Sequence, residues 1–363
     1  MRILAFIIGC CFLLSCGSDD ARQTAVLAES TTPASSASPA DNEPPPPPAP
    51  IKQPEVKEAC LFAQIAYCTD PQAQLDQFLP GWKLVWHPAR TSSNHSFIAT
   101  DGRQYVVAIR GSLMEISWHA IDNWIYQDLN VVEQSDWTYS SVEGARIAQG
   151  TARGLANVLQ ATDTATGKKL MEFLLQNRKN NEPVLFTGHS LGGNLATVIA
   201  SRFYTEAKEA GQSVDALNVI SFASPAAGNN AFALDFDSKF PKALRIEAQG
   251  DIVAKFPCAS RVAELGKLYG KQPSASQIKV GYKNMTVSLS TVFETMSSAL
   301  SLLELKNGMS SFTQTCGKGM MIEMKPSGKN ILNDVQSWFA EAGYQHGVAQ
   351  YATALNVPVV ECK

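Results

Sequence analysis

The sequence predicts an α/β protein with a mostly parallel central sheet and helices on both faces. Short apolar runs that end in glycine, serine or aspartate alternate with helical patterns, which is typical of such sheets. Residues 183–196 carry the pattern Gly-x-Ser-x-Gly between an apolar run and a run of small and apolar residues. The chain has 363 residues, enough to bury a complete core of this kind with additional segments.

The N-terminal residues have the pattern of an export signal. Residues 3–14 are apolar and follow Arg2, a run too short to cross a bilayer but typical of a signal peptide. The residues Leu-Leu-Ser-Cys that end at Cys16 resemble the acylation site of bacterial lipoproteins. We therefore predict a signal peptide over residues 1–15, lipidation at Cys16, and a location in the cell envelope, at the outer membrane, surface-exposed or secreted. A signal peptide that is cleaved without lipidation is the alternative.

Residues 16–54 are predicted to be a disordered tether. They are rich in Ser, Thr, Ala and Pro and include a polyproline run at residues 44–48. We expect this tether to hold the domain of residues 55–363 away from a membrane; docking to a polyproline-binding partner is the alternative. The net charge of −3 and the lack of a basic segment argue against nucleic acid as a partner.

The cysteines of the predicted domain are permitted to form disulfides if the chain is exported. Their spacing shows no metal-binding motif. Cys60 and Cys68 share one predicted helix and lie too far apart along it for a direct bond. We expect Cys258 and Cys316 to pair and to join the ends of an irregular segment.

Apolar periodicity gives the order of the elements. Strands are predicted at residues 82–86, 96–100, 105–110, 217–223 and 243–248, besides the apolar run before Ser190. Helices are predicted at residues 55–67, 143–159, 168–177, 285–305 and 338–355, besides one that runs from Ser190 to about residue 209. Residues 258–330 are less regular and form a predicted insertion. The helix at residues 285–305 either packs on the core or is a mobile, lipid-facing element.

The segment around Ser190 has the pattern of a nucleophile elbow, a tight strand-to-helix turn. Glycines flank the serine because such a turn has no room for side chains, and the following helix directs its N-terminal amides at negative charge. The pattern predicts that Ser190 is a nucleophile. A glycine-rich loop that begins an ordinary helix is the alternative.

A serine nucleophile needs a base, and His346 is the predicted one. The chain has five histidines. His189 neighbours Ser190 and is expected to point away from it, whereas the remaining three precede the elbow, namely His87, His95 and His119. In the order nucleophile, acid, base, only His346 stands in the last position.

Asp251 is the predicted acid. It follows the strand at residues 243–248 directly and lies between Ser190 and His346 in the chain. Its role would be to orient the imidazole and to stabilise the imidazolium. Other aspartates are expected in loops before that strand, at Asp215, Asp235 and Asp237. The oxyanion hole is assigned to the amides of Leu191 and Ser112, because one follows the nucleophile and the other leaves an earlier strand.

These segments together resemble the class 3, or fungal-type, lipases of the α/β-hydrolase fold. The similar segments are residues 106–112, 123–129, 188–193, 222–229, 251–253, and His346 with Tyr351. The resemblance implies an α/β-hydrolase with a Ser-Asp-His triad and an insertion at about residues 258–330, between acid and histidine. Two departures are Ala148, where the family usually has histidine, and Ile252, where proline is common; neither touches the triad.

The resemblance also implies a lid at residues 113–122, after the oxyanion strand. Its apolar members include Met114, Ile116 and Trp118. An apolar lid that opens at a lipid surface would expose a large apolar patch. A buried aromatic packing segment is the alternative.

We therefore expect a lipase-type serine hydrolase that cleaves acylglycerol or phospholipid esters. Its partners would be a lipid or ester substrate and a membrane reached through the N-terminal anchor. The chemistry needs no metal or organic cofactor. The alternatives are an esterase that acts on a non-lipid ester and a non-catalytic envelope lipoprotein that uses the fold as a scaffold.

Overall fold

The computed structural model describes residues 53–89, 95–111, 133–179, 182–269, 275–282, 285–307, 311–316, 319–328 and 334–362. Several predicted features lie outside these residues. They are the signal peptide, Cys16, most of the tether, Ser112 of the oxyanion hole, and the lid with Met114, Ile116 and Trp118.

Short strands run through the whole domain. In chain order they are β1 Lys83–Trp86, β2 Ser96–Thr100, β3 Tyr105–Ile109, β4 Gln134–Asp136, β5 Arg146–Ala148, β6 Val184–His189, β7 Leu217–Phe222, β8 Gly228–Asn229, β9 Leu244–Ala248, β10 Lys279–Tyr282, β11 Met285–Ser288, β12 Phe312–Thr313 and β13 Met320–Ile322. Among the described residues, seven of them form the central sheet in the order β1-β2-β3-β6-β7-β9-β13. The pairs from β3 to β13 are parallel, whereas β1, β2 and β3 pair antiparallel. The predicted mostly parallel sheet is therefore confirmed.

Helices connect these strands. They are α1 Gln53–Ile65, α2 Pro71–Phe78, α3 Gln149–Gln160, α4 Leu170–Asn177, α5 Leu191–Glu209, α6 Asn230–Lys239, α7 Ala259–Val262, α8 Leu289–Asn307, α9 Val335–His346 and α10 Val348–Ala354. The predicted C-terminal helical segment is a pair, α9 and α10. Within the described ranges, no helix combines the length and the apolar character needed to cross a membrane.

Successive side chains along each strand point to opposite faces of the central sheet, and both faces are buried. On one face, Phe97, Val106 and Phe222 belong to a buried cluster that includes residues of α1 and α10. On the other face, the ring of Phe186 in β6 lies 5.8 Å from that of Phe203 in α5. The two helical layers therefore cover opposite faces of the sheet, as the strand patterns predict.

Two predicted helices begin later than the sequence indicates. Residues 146–148 form β5, which pairs with β4 and β8, so that α3 begins only at Gln149. Residues 285–288 form β11, which pairs with β10, so that α8 begins at Leu289. In both cases strand pairing overrides a helical apolar spacing, with a distant strand for β5 and with the preceding strand β10 for β11. Buried Leu289 and Phe293 show that α8 packs on the core along one face.

The predicted insertion also contributes to the central sheet. Residues 320–322 form β13, which pairs in parallel with β9. Asp251 lies in the turn that follows β9, and β9 itself is flanked on both sides, by β7 and by β13. This arrangement buries the end of β9.

A disulfide joins Cys68, just after α1, to Cys362 near the C-terminus. The C-terminal residues are held against α1 by the buried side chain of Gln64. Its Nε2 donates to the carbonyl of Pro358 (3.1 Å), and its Oε1 accepts from the amide of Val360 (3.0 Å). The C-terminal segment is thus anchored covalently and by hydrogen bonds.

The predicted pairing of Cys258 with Cys316 is wrong. Both are free thiols in the structure, as is Cys60. The disulfide that does form was not predicted, because sequence spacing cannot show that Cys362 returns to the end of α1. The expectation that Cys60 and Cys68 do not bond to each other is confirmed, but they do not share one helix as predicted, because α1 ends at Ile65.

Candidate active site

Ser190 lies at the sharp turn between β6 and α5. Its backbone has φ 60° and ψ −132°, a positive φ that is uncommon for any residue except glycine. Such backbone strain concentrates at functional sites. The amide of Ser190 donates to the carbonyl of Phe222 in β7 (2.9 Å), which ties the turn to the neighbouring strand.

The glycines around Ser190 are required by close backbone packing. A Cβ atom at Gly188 would lie 2.5 Å from the backbone of Gly192 and 2.6 Å from the carbonyl oxygen of Ile109. A Cβ atom at Gly192 would overlap the same carbonyl oxygen. The strand, the turn and the first turn of α5 therefore approach more closely than side chains permit, as the elbow pattern predicts.

The structure brings Ser190, His346 and Asp251 into one hydrogen-bonded series. His346 Nε2 lies 2.9 Å from Ser190 Oγ. His346 Nδ1 lies 2.9 Å from Oδ2 and 3.1 Å from Oδ1 of Asp251. A carboxylate only accepts, so Nδ1 carries the proton and Nε2 is left to accept from the serine hydroxyl.

Asp251 is fully buried directly after β9. Burial alone would raise the pKa of its carboxyl. The charge and hydrogen bond of His346 and the hydroxyl of Tyr351 outweigh burial and lower the pKa below its usual value. Tyr351 donates to Asp251 Oδ2 (2.8 Å), and the amide of Ala248 donates to the Tyr351 oxygen (2.9 Å). Asp251 is therefore held as a carboxylate.

His189 does not face the Ser190 hydroxyl. Its ring nitrogens meet two other groups, because Nδ1 lies 3.0 Å from Tyr67 Oη and Nε2 lies 2.7 Å from the carbonyl oxygen of His346. Burial, followed by the charge of His346, lowers the pKa of His189 to about 3. This agrees with the expectation that its side chain points away from the serine.

The end of β3 lies against the elbow, where the oxyanion hole is expected. A Cβ atom at Gly111 would be 3.0 Å from Ser190 Cβ and 2.5 Å from the carbonyl oxygen of His189. Leu191 begins α5 and is buried. Ser112, one residue after Gly111, lies outside the described residues, so its amide remains a prediction.

The other candidate residues lie elsewhere. His87 and His95 contact each other, with 3.1 Å between their Nε2 atoms. Asp235 and Asp237 lie on α6, not in loops as predicted, because α6 fills most of the connection between β7 and β9. Asp235 pairs with Lys239 at 2.7 Å, one turn further along α6.

Sequence reasoning missed the side chains that support the site. Tyr67 and Tyr351 both place a hydroxyl within it, yet Tyr67 lies far from every motif residue in the chain. Tyr351 belongs to the C-terminal segment that resembles the family, but the sequence does not predict its contact with Asp251. No periodicity identifies a buried hydroxyl that bridges distant segments.

The sheet order, the elbow after β6 and the acid after β9 define an α/β-hydrolase fold. The fold is shared with the solved structure of M37 lipase, with a TM-score of 0.64 and 20% identity over 84% of this chain and 93% of that chain. The structure of a lipase from Rhizopus microsporus var. chinensis is also similar, with a TM-score of 0.45 and 25% identity over 61% of this chain and 77% of that chain.

Residues 106–260 match the model of the lipase (class 3) family. A Caenorhabditis elegans protein named lipase ZK262.3 is 31% identical over 101 residues. That match spans only 28% of this chain and 28% of the relative. The segment that matches the family model, residues 106–260, contains β6, the elbow and Asp251. Together these findings support a hydrolase of the lipase type.

Proposed function

We propose that the chain is a serine carboxylic ester hydrolase of the lipase type, which cleaves acylglycerol or phospholipid ester bonds. The observation that carries the proposal is the continuous contact from Asp251 through His346 to Ser190 Oγ, with both hydrogen bonds at 2.9 Å. The similarity to the class 3 lipases over residues 106–260 supports lipid esters as substrates.

The geometry supports the following acylation step. His346 Nε2 takes the proton of Ser190 as Oγ attacks the acyl carbonyl. Asp251 keeps the proton on Nδ1 in place and stabilises the imidazolium that forms. The amides of Leu191 and Ser112 are assigned to the oxyanion, and the N-terminus of α5 favours negative charge there. When the intermediate collapses, the leaving alcohol takes the proton from His346 Nε2.

Deacylation repeats the same proton transfers with water. His346 Nε2 takes a proton from water as the water oxygen attacks the acyl-serine. The second intermediate releases the fatty acid, and Ser190 Oγ regains its proton from His346. The residues named supply the nucleophile, the proton transfers and the oxyanion donors, so no cofactor takes part in this scheme.

The test is hydrolysis by the full chain and by the Ser190→Ala variant. We expect the wild-type protein to hydrolyse p-nitrophenyl butyrate, emulsified triacylglycerol or phospholipid vesicles, and the variant to lose at least about a thousandfold in kcat while it stays folded. Hydrolysis of phenolic plant-wall esters with no activity on either lipid would indicate a non-lipid esterase. An inactive wild-type protein would indicate a scaffold.

We also propose that the mature chain is anchored in the cell envelope through Cys16. The support is the apolar signal pattern with its Leu-Leu-Ser-Cys end and the disulfide between Cys68 and Cys362. Disulfides persist outside the reducing cytoplasm. The tether would allow the hydrolase domain to reach a lipid surface.

A further inference from the structure

His189 connects the elbow to the helix that carries the proposed base. Its Nε2 is 2.7 Å from the carbonyl oxygen of His346, the last residue of α9. Carbonyls in the last turn of a helix have no partner within the helix. Because His189 and Ser190 are adjacent, the side chain that binds the carbonyl of His346 belongs to the residue directly before the nucleophile.

Hydrogen-bond chemistry defines the tautomer of His189. A carbonyl oxygen only accepts, so Nε2 must carry the proton. The ring is neutral because burial, followed by the charge of His346, lowers the pKa to about 3. Nδ1 is therefore an acceptor, and Tyr67 donates its hydroxyl proton to it across 3.0 Å.

The neutral state of His189 matters for the proposed reaction. Its ring centroid lies 4.7 Å from that of His346, with the planes tilted by 37°. A positive charge on His189 would oppose the imidazolium that forms on His346 during catalysis. A neutral imidazole provides a donor for the backbone without adding that repulsion.

We propose that His189 is a positioning residue for ester hydrolysis. Its Nε2–H group holds the carbonyl of His346, and thereby keeps His346 Nε2 within hydrogen-bond distance of Ser190 Oγ. Tyr67 maintains the tautomer in which this proton is present. The inference depends on the proposed function, because it assigns His189 to the reaction of Ser190 and His346.

Two amide substitutions separate the two hydrogen bonds of His189. The side chain of His189→Gln is long enough to place an N–H group near the position of Nε2 and to reach the His346 carbonyl. The side chain of His189→Asn ends near the position of Nδ1, so it keeps the contact with Tyr67 and loses the contact with His346. Both replacements remove the titratable group.

We expect His189→Asn to lower kcat for p-nitrophenyl butyrate by about 10- to 100-fold with KM within about threefold, because small misplacement of a catalytic group is costly. His189→Gln should restore kcat to within about fivefold of wild type. The low-field proton resonance of an imidazole N–H bound to a carboxylate should be kept in the Gln variant and broadened or lost in the Asn variant. His87→Asn is the matched control, and should leave kcat unchanged.

The same experiment includes outcomes that overturn the inference. A folded His189→Asn variant with wild-type kcat would do so. Equal losses in the Asn and Gln variants, with an unchanged low-field resonance, would show a merely structural role. If His189→Asn does not fold, a Gln variant that folds but loses kcat by more than about 30-fold overturns it as well. An active Ser190→Ala variant would instead refute the proposed function.

Discussion

Tyr351 donates its hydroxyl proton to Asp251 Oδ2 across 2.8 Å, inside the fully buried end of β9. The same hydroxyl oxygen accepts a hydrogen bond from the backbone N–H of Ala248, with 2.9 Å between the nitrogen and the oxygen. Burial, followed by the charge of Asp251, raises the pKa of Tyr351 well above its ordinary value, so it remains a donor at any working pH. One side chain therefore connects α10, the strand β9 and the proposed acid.

Replacing Tyr351 with Phe should make the protein more sensitive to acid. Asp251 has a lowered pKa in the fold, so the stability that its carboxylate contributes is present above the unfolded pKa and is lost as pH falls through the folded pKa. Without the hydroxyl this loss should begin at a higher pH. A hydrogen bond to a charged group contributes about 1.5–3 kcal/mol.

The measurement is the free energy of unfolding and kcat/KM between pH 3 and pH 8. We expect the Tyr351→Phe variant to be less stable at neutral pH and to lose activity at a higher pH than wild type. Tyr344→Phe on α9 is the matched control. An unchanged acid limb in both variants would show that Tyr351 does not stabilise the Asp251 carboxylate.

Gly188→Ala should disrupt the elbow. Its Cβ would lie 2.5 Å from the backbone of Gly192, where backbone cannot move without displacing β3 or α5. We expect a loss of about 3 kcal/mol or more in the free energy of unfolding, or an insoluble protein. Gly102→Ala, at a hairpin turn with φ +84° and no atom within 4 Å of the added Cβ, should cost only about 1–2 kcal/mol. Equal costs in chemical denaturation would contradict the packing argument.

The disulfide between Cys68 and Cys362 should stabilise the fold strongly. It closes a loop with a sequence separation of 294 residues. Cys362→Ser should lower the free energy of unfolding by about 2–5 kcal/mol and remove the dependence of the thermal midpoint on dithiothreitol. Cys316→Ser changes a free thiol and should keep that dependence. A reductant-insensitive wild-type protein would refute the prediction.

Lipidation is expected at Cys16. Labelled palmitate supplied to the cells that make the protein should enter the wild-type chain and be absent from the Cys16→Ala variant. The same variant should leave the membrane fraction. Continued labelling would place the modification at another cysteine, and an unlabelled wild-type chain would favour a signal peptide cleaved without lipidation.

The sequence predicts those elements in which the residue types fit the burial that the fold imposes on them. β3, β6 and β7 are predominantly apolar and almost completely buried, because helices cover both faces of the sheet at these positions. The elbow was equally predictable from the sequence, because the close approach of Gly188 and Gly192 to β3 requires glycine at both positions. In these places the local preference and the tertiary requirement coincide.

Features that depend on distant partners were not predictable. Ile147 pairs with Gly228, and this contact turns the start of a helical pattern into β5. The Cys68–Cys362 disulfide and the Tyr67–His189 hydrogen bond join segments far apart in the chain. The residues that form these contacts are of common types and follow no periodic pattern in the sequence. The contacts are therefore visible only in the folded chain.

The central claim is that Ser190 is the nucleophile activated by His346. The most direct measurement is reaction of the full chain with a fluorophosphonate, followed by mass spectrometry of its peptides. We predict one adduct, on Ser190, and a labelling rate about a thousandfold lower in the His346→Ala variant. An adduct on another residue, or an unmodified Ser190 in an enzyme that the reagent has fully inhibited, would contradict the claim.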